Sequence, residues 1–149
     1  MKDLKPLFSD LIRFETELWN AIDARLRSAH DLPLHKFEPM QIISRTPDCR
    51  VYDIAEELSL TTGGVSKLVD SIEASGYCTR RPNPSDRRSS IIELSPPGRT
   101  ALAQASATFE RELESRLRAG VSERVLTQFA SSLTALRAAS KLADESAAA

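Results

Sequence analysis

Between Gly76 and Gly98 the chain leaves helical spacing for a two-residue alternation and then returns to it, and everything else must be arranged around that switch. Upstream, Val65, Leu68, Val69 and Ile72 recur three and four residues apart and so share one side of a helix. Gly76 follows as a residue suited to the left-handed conformation that ends helices. Tyr77 to Arg81 reads as a short strand and Pro82-Asn83-Pro84-Ser85-Asp86 as turn chemistry. Ser89 to Leu94 reads as the returning strand, with Ile92 and Leu94 on one face. Ser95 then caps another helix whose first position is Pro96, where a missing N–H costs nothing.

The flanking segments are helical. Leu4, Leu7, Phe8, Leu11, Ile12, Leu18, Trp19, Ile22 and Leu26 stripe a long first helix, which the two prolines of DLPLHKFEP break. Phe37, Met40 and Ile43 predict a short second helix that stops before Pro47. Val51, Ile54, Ala55 and Leu58 mark a third, weakly capped by Cys49 or Arg50 and helped by Asp53 in its first turn. Thr61 or Thr62 caps the fourth. Leu102, Phe109, Leu113 and Leu117 stripe the fifth as far as Gly120. Ser122 caps a sixth that carries Val125, Leu126, Phe129, Leu133 and Leu136. The predicted fold is therefore mainly α, with six helices and one two-stranded antiparallel β-hairpin in a single domain spanning 1–149.

Formal net charge is only −1, so bulk charge says nothing of a polyanionic partner. Its distribution does. Arg80, Arg81, Arg87, Arg88 and Arg99 face only Asp86 and Glu93 between Gly76 and Arg99, whereas Asp31 to Leu60 is acidic. The fourth helix turns Thr62, Gly63, Ser66, Lys67 and Asp70 away from its apolar side. That face is small and nearly uncharged at its N-terminal end, so another backbone can come close. Each glycine costs the helix roughly 1 kcal/mol relative to Ala. A helix that can enter a DNA groove, followed by a basic ribbon that can reach the next, is the layout of a double-stranded DNA reader. The candidate contacts are Thr61, Thr62, Gly63, Gly64, Ser66 and Lys67 on the helix. Arg80 and Arg81 suit phosphates from the outgoing strand. Arg87 and Arg88 at the hairpin tip suit a narrow minor groove, with Asp86 placed to orient one guanidinium. The alternative is a solvated face with ordinary surface ion pairs, as in a protein-interaction adaptor that binds no DNA.

These residues resemble the winged helix-turn-helix regulators of the MarR (multiple antibiotic resistance regulator) family. The family's Asp-x-Arg wing and Leu-Thr-x-x-Gly helix start correspond to Asp86-Arg87-Arg88 and to Leu94, Ser95 and Gly98. The stretch IAEELSLTTGGVSKLVDSIEASGY looks like the family's helix-turn-helix. Ser95 stands where Thr is usual, and Gly63-Gly64 where bulkier residues are common. The resemblance implies a DNA-binding lobe at 36–98 and a dimerisation lobe made of 1–30 and 99–145. It further implies a homodimer bound to a pseudo-palindromic operator, usually as a repressor. The terminal helices carry more apolar stripe than a lone pair needs; they either cover the central lobe or join two chains, and two-fold DNA sites favour joining.

Many relatives release DNA when a small-molecule inducer binds between the dimer helices and the reading lobe. Arg13, Trp19, Asp23, His35 and Phe37 are the candidate lining here, with His30 nearby. Two histidines without a carboxylate pattern make no metal site. Cys49 and Cys78 form neither a CxxC pair nor a disulfide framework; each is read as a small buried hydrophobe or, given arginine neighbours, as an oxidant sensor. No nucleophile-elbow, zincin, P-loop or dinucleotide signature occurs, so neither enzyme activity nor a cofactor is expected. With no signal-peptide-like run in MKDLKPLFSD and no segment able to span a bilayer, the expected location is the cytoplasm, away from membranes.

Overall fold

The computed structural model describes residues 3–148. Their elements run α1 (Lys5–His30), α2 (Leu34–Arg45), α3 (Val51–Leu58), α4 (Thr62–Ala74), β1 (Cys78–Pro82), β2 (Ser90–Leu94), α5 (Pro96–Arg118) and α6 (Glu123–Ala147). The mainly α architecture with a small two-stranded wing is therefore as the periodicity predicts. The chain forms two compact units, one reaching to Glu110 and one beginning at Arg111, so the division falls within α5.

In the first unit, Leu26, Leu32, Phe37, Met40, Ile54, Val65, Val69, Ile72 and Ile92 are closed off from solvent. Full burial of such a side chain is worth roughly 1.5–3 kcal/mol. Phe37 packs against Phe109 with ring centroids 4.8 Å apart. Asp31, at the C-cap of α1, takes φ 51°, a left-handed residue that turns the chain out of the helix.

One proline of DLPLHKFEP behaves otherwise than expected. Pro33 is the N-cap of α2, but Pro39 lies inside that helix rather than bounding it. An interior proline removes one helical hydrogen bond and crowds the carbonyl four residues back, at a cost of about 3 kcal/mol. Pro39 is buried, as are Leu34, Phe37, Met40, Ile42 and Ile43 on the same helix, so tertiary packing overrides the local penalty. Asp53 rescues the poor start of α3 by accepting the Arg50 N–H at 2.8 Å.

Local chemistry sets α4 at both ends. Thr61 is its N-cap, and the hydroxyl accepts the Gly64 N–H at 3.1 Å. At the other end Gly76 sits at φ 78°. The Gly76 N–H donates to Glu73 and the Tyr77 N–H to Ile72, the paired bonds of a Schellman ending.

The wing is an antiparallel pair in which Cys78 faces Leu94, Arg80 faces Ile92 and Pro82 faces Ser90. Ile91 as well as Ile92 and Leu94 is buried, which departs from simple alternation. The Ile92 N–H donates to the Cys49 carbonyl at 2.7 Å, so the segment before α3 lies along β2.

The base of the wing is tied to α5. The Ser95 N–H donates to the Tyr77 carbonyl at 3.0 Å, while the Ser95 hydroxyl donates to the Gly76 carbonyl and accepts the Gly98 N–H at 3.1 Å. A Cβ on Gly98 would stand 1.9 Å from the Tyr77 carbonyl oxygen and 2.8 Å from its carbon. Both are backbone atoms that cannot rotate away. Gly98→Ala should therefore lower the unfolding free energy by about 3 kcal/mol, the upper end of overpacking costs. Gly120→Ala, with open space around it, should not. Urea midpoints measure both; an unchanged midpoint for Gly98→Ala would mean that this junction relaxes freely.

Candidate nucleic-acid interface

The outer face of α4 begins with bare backbone. Thr61, Thr62, Gly63 and Gly64 are exposed, and no atom lies within 4 Å of a Cβ built on Gly63. Nothing inside the fold requires glycine there. The Thr61 hydroxyl satisfies Gly64 and leaves the N–H groups of Thr62 and Gly63 without an intrahelical partner, as at any helix start. This end of α4 thus offers two donors, a positive dipole end and no side chain at Gly63 to hold a phosphate backbone away. Ser66 is half-buried on the next turn and Lys67 exposed.

The wing arginines divide into two kinds. Arg80 donates from Nη2 to Asp70 at 2.6 Å and from Nη1 to Glu73 at 3.1 Å, and Nη2 also reaches the Ser66 carbonyl at 3.4 Å. All three acceptors belong to α4. Arg81 donates from Nε to Glu93 at 2.7 Å and from Nη2 to Asp48 at 2.9 Å. Its pKa is raised, first by the Glu93 hydrogen bond. Rather than standing free for phosphates, these two side chains fasten β1 to α4 and to the loop before α3. Arg87 and Arg88, by contrast, are exposed with no side-chain hydrogen-bond or ion-pair partner among the described residues, and so is Lys67.

Asp86 also differs from expectation. It does not grip a guanidinium; its Oδ1 accepts the backbone N–H of Arg88 at 2.9 Å. An Asx side chain two residues before an N–H closes a turn more readily than it reaches a flexible side chain. The partners of the two fastened arginines carry almost no signal in the sequence. Asp48 lies 33 residues from Arg81, and no local pattern joins them. Asp70 and Glu73 share a face of α4 at helical spacing, but only the hairpin register brings Arg80 across to them.

The five candidate inducer-lining residues lie in different settings. Phe37 is fully buried core, so it offers no accessible surface. Asp23 is occupied in holding the backbone. Its Oδ1 accepts the Leu34 N–H at 2.8 Å at the start of α2, and its Oδ2 accepts from Arg27 at 2.7 Å. Burial alone would raise its pKa, but these hydrogen bonds bring it below the usual value. His35 is exposed, and its pKa is lowered by partial desolvation and then by Arg27 and Lys36. Trp19 is half-buried and Arg13 exposed. His30 meets the Thr108 hydroxyl at 2.7 Å. Two open cavities, of about 310 and 530 Å³, flank the loop from Thr46 to Asp48, and none of the five lines either. Among the described residues no group of His, Cys, Asp and Glu could hold a metal, and no helix is long and apolar enough to cross a membrane.

A two-helix reading unit (α3 and α4) followed by an arginine-tipped hairpin defines a winged helix-turn-helix protein. Residues 32–90 match the MarR family model. The fold as a whole is similar to that of a mutant MarR from E. coli, crystallised with operator DNA. The TM-score is 0.83 at 18% identity, over 89% of this chain and 94% of that one. It is similar to Streptococcus pneumoniae FabT in complex with DNA, with a TM-score of 0.75 at 21% identity over 93% and 98% of the two chains. It is similar also to Rhodococcus jostii CouR bound to p-coumaroyl-CoA, with a TM-score of 0.79 at 20% identity over 91% and 95%. At these identities the likeness establishes the fold. No curated protein matches the sequence.

The two thiols sit under this unit rather than on it. Cys49 and Cys78 are buried, at 0% and 2% exposure. Burial pushes each up to about 11; Asp53 and Glu73 add to the rise, while Arg50 and Arg80 oppose it. With such values roughly one thiol in a thousand is ionised at pH 8, and the thiolate is the reactive form. Both cysteines should therefore react with Ellman's reagent at least about 100-fold more slowly than a free thiol at pH 8, and rapidly in denaturant. Fast labelling of the folded protein would contradict this and reopen oxidant sensing.

Proposed function

We propose that this chain is a sequence-specific DNA-binding transcriptional regulator, acting as a homodimeric repressor on a pseudo-palindromic operator. In this arrangement α4 enters the major groove and the wing tip reaches the adjacent minor groove. The observation that carries the proposal is the division of cations. Arg80 and Arg81 are each committed to two carboxylates, while Lys67, Arg87 and Arg88 stand exposed and uncommitted on the two elements that face a groove in this fold. On a chain of net charge −1, free cations confined to a helix and a hairpin tip form a local site for phosphate and groove. That two of the similar structures are DNA complexes supports the same choice of ligand.

A two-fold partner is supported by apolar surface. Leu4 at the N-cap of α1 and Leu7, Phe8 and Ile12 on that helix are 48–67% exposed, and α6 has no buried residue although it carries Phe129, Leu136 and Leu142. Apolar stripes of this kind mark a protein interface more often than a solvated face. A second copy covers them and sets two α4 helices about one helical turn of DNA apart.

The test is the salt dependence of binding. Arg87→Ala with Arg88→Ala should weaken binding at least about 10-fold, and Lys67→Ala should lower the slope of log K against log salt by about 1. Arg81→Ala should reduce wing stability while leaving the slope close to wild type. Unchanged affinity in the double arginine variant would reject the wing's role in DNA binding.

A further inference from the structure

Two polar side chains stand out as buried among the described residues: Thr108, partnered by His30, and Asn83. Asn83 belongs to the hairpin tip, between the exposed Pro82 and Pro84, where a polar side chain ordinarily faces water. Its carboxamide is occupied at both ends. Oδ1 accepts the Ser85 N–H at 3.0 Å, and Nδ2 donates to the Ser89 hydroxyl at 2.9 Å.

The backbone shows what this arrangement holds. The Asp86 N–H donates to the Asn83 carbonyl at 3.3 Å, and the Ser89 N–H to the Asp86 carbonyl at 3.2 Å. The tip is therefore two turns in series, 83–86 and 86–89. Each opens on an Asx residue whose side chain takes the N–H two positions on. Arg87 and Arg88 are the two corner residues of the second turn. Asp86 holds that turn at its start. Its end, Ser89, is held by the Asn83 amide from across the loop.

We infer that Asn83 is a positioning residue for the wing arginines: through Ser89 it closes the second turn and presents Arg87 and Arg88 in one fixed arrangement. This rests on the DNA-binding role proposed above and names how the site is made ready. Asn83 touches no groove itself. It removes the conformational freedom that the tip would otherwise lose on binding, which is how preorganisation raises affinity without adding a contact.

Two measurements on the full-length protein test this. The first needs no DNA: amide order parameters for residues 85–89 should fall from about 0.85 to below about 0.6 in Asn83→Ala and in Ser89→Ala. The second is DNA affinity across a salt series. Each variant should bind about 5-fold more weakly with an unchanged salt slope, since no phosphate contact is lost. The double variant should be no weaker than either single one, because both break one link. Ser89→Thr, which keeps the hydroxyl, should bind as wild type. A hairpin held merely for stability would move the melting temperature and leave affinity unchanged at temperatures well below it. Rigid tips in both alanine variants, or loosened tips with wild-type affinity while Arg87→Ala, Arg88→Ala binds weakly, would overturn the inference. Wild-type affinity in the double arginine variant as well would instead overturn the DNA role of the wing, and the inference with it.

Discussion

Everything that reaches outward from the reading unit stands on one close backbone contact, Gly98 against the Tyr77 carbonyl. At that point the end of α4, the start of β1 and the start of α5 meet. Ser95 ties the three with its N–H and hydroxyl, bonding to Tyr77, Gly76 and Gly98. The contact excludes any side chain at Gly98, and it removes the hinge that would otherwise lie between helix and wing. A wing can place cations usefully only if its base does not swing, so the functional surface inherits its geometry from this junction.

Above the base, electrostatics divides the labour. Arg80 and Arg81 spend their donors on carboxylates of α4, β2 and the loop before α3. Exposed ion pairs add little stability singly, but each of these spans two elements and so fixes an angle rather than a free energy. The cations left over, Lys67, Arg87 and Arg88, are exposed on α4 and at the hairpin tip. A near-neutral chain can in this way carry a strongly local attraction for a polyanion without the non-specific stickiness of a basic protein.

Legible in the sequence is what neighbours along the chain decide. The Thr61 cap, the Gly76 ending, the Asn-Pro-Ser-Asp turn and the Ser95-Pro96 start each depend on residues a few positions apart, and each is present. What escapes is set by distant partners. Pro39 is tolerated inside α2 because that helix packs into the core, which periodicity alone cannot weigh against the local cost. Ile91 is buried on the face that simple alternation turns to water. Arg81 loses its freedom to Asp48 across 33 residues, and Asp23 is claimed by the N–H that opens α2. Phe37, an aromatic residue of the kind that lines ligand sites, is the largest of the fully buried side chains in the core. In each case residue type declares the chemistry, and the distant partner that consumes it leaves no local trace.

The most direct measurement is a fluorescence-anisotropy titration of the wild-type protein against the intergenic DNA beside its own gene, with scrambled DNA as control, over a range of salt. The predicted result is tight binding of two chains per site, with a clear preference for the native DNA and an affinity that falls steeply as salt rises. Absence of binding to either DNA even at low salt would contradict it, and would leave the free cations of α4 and the wing to a protein partner.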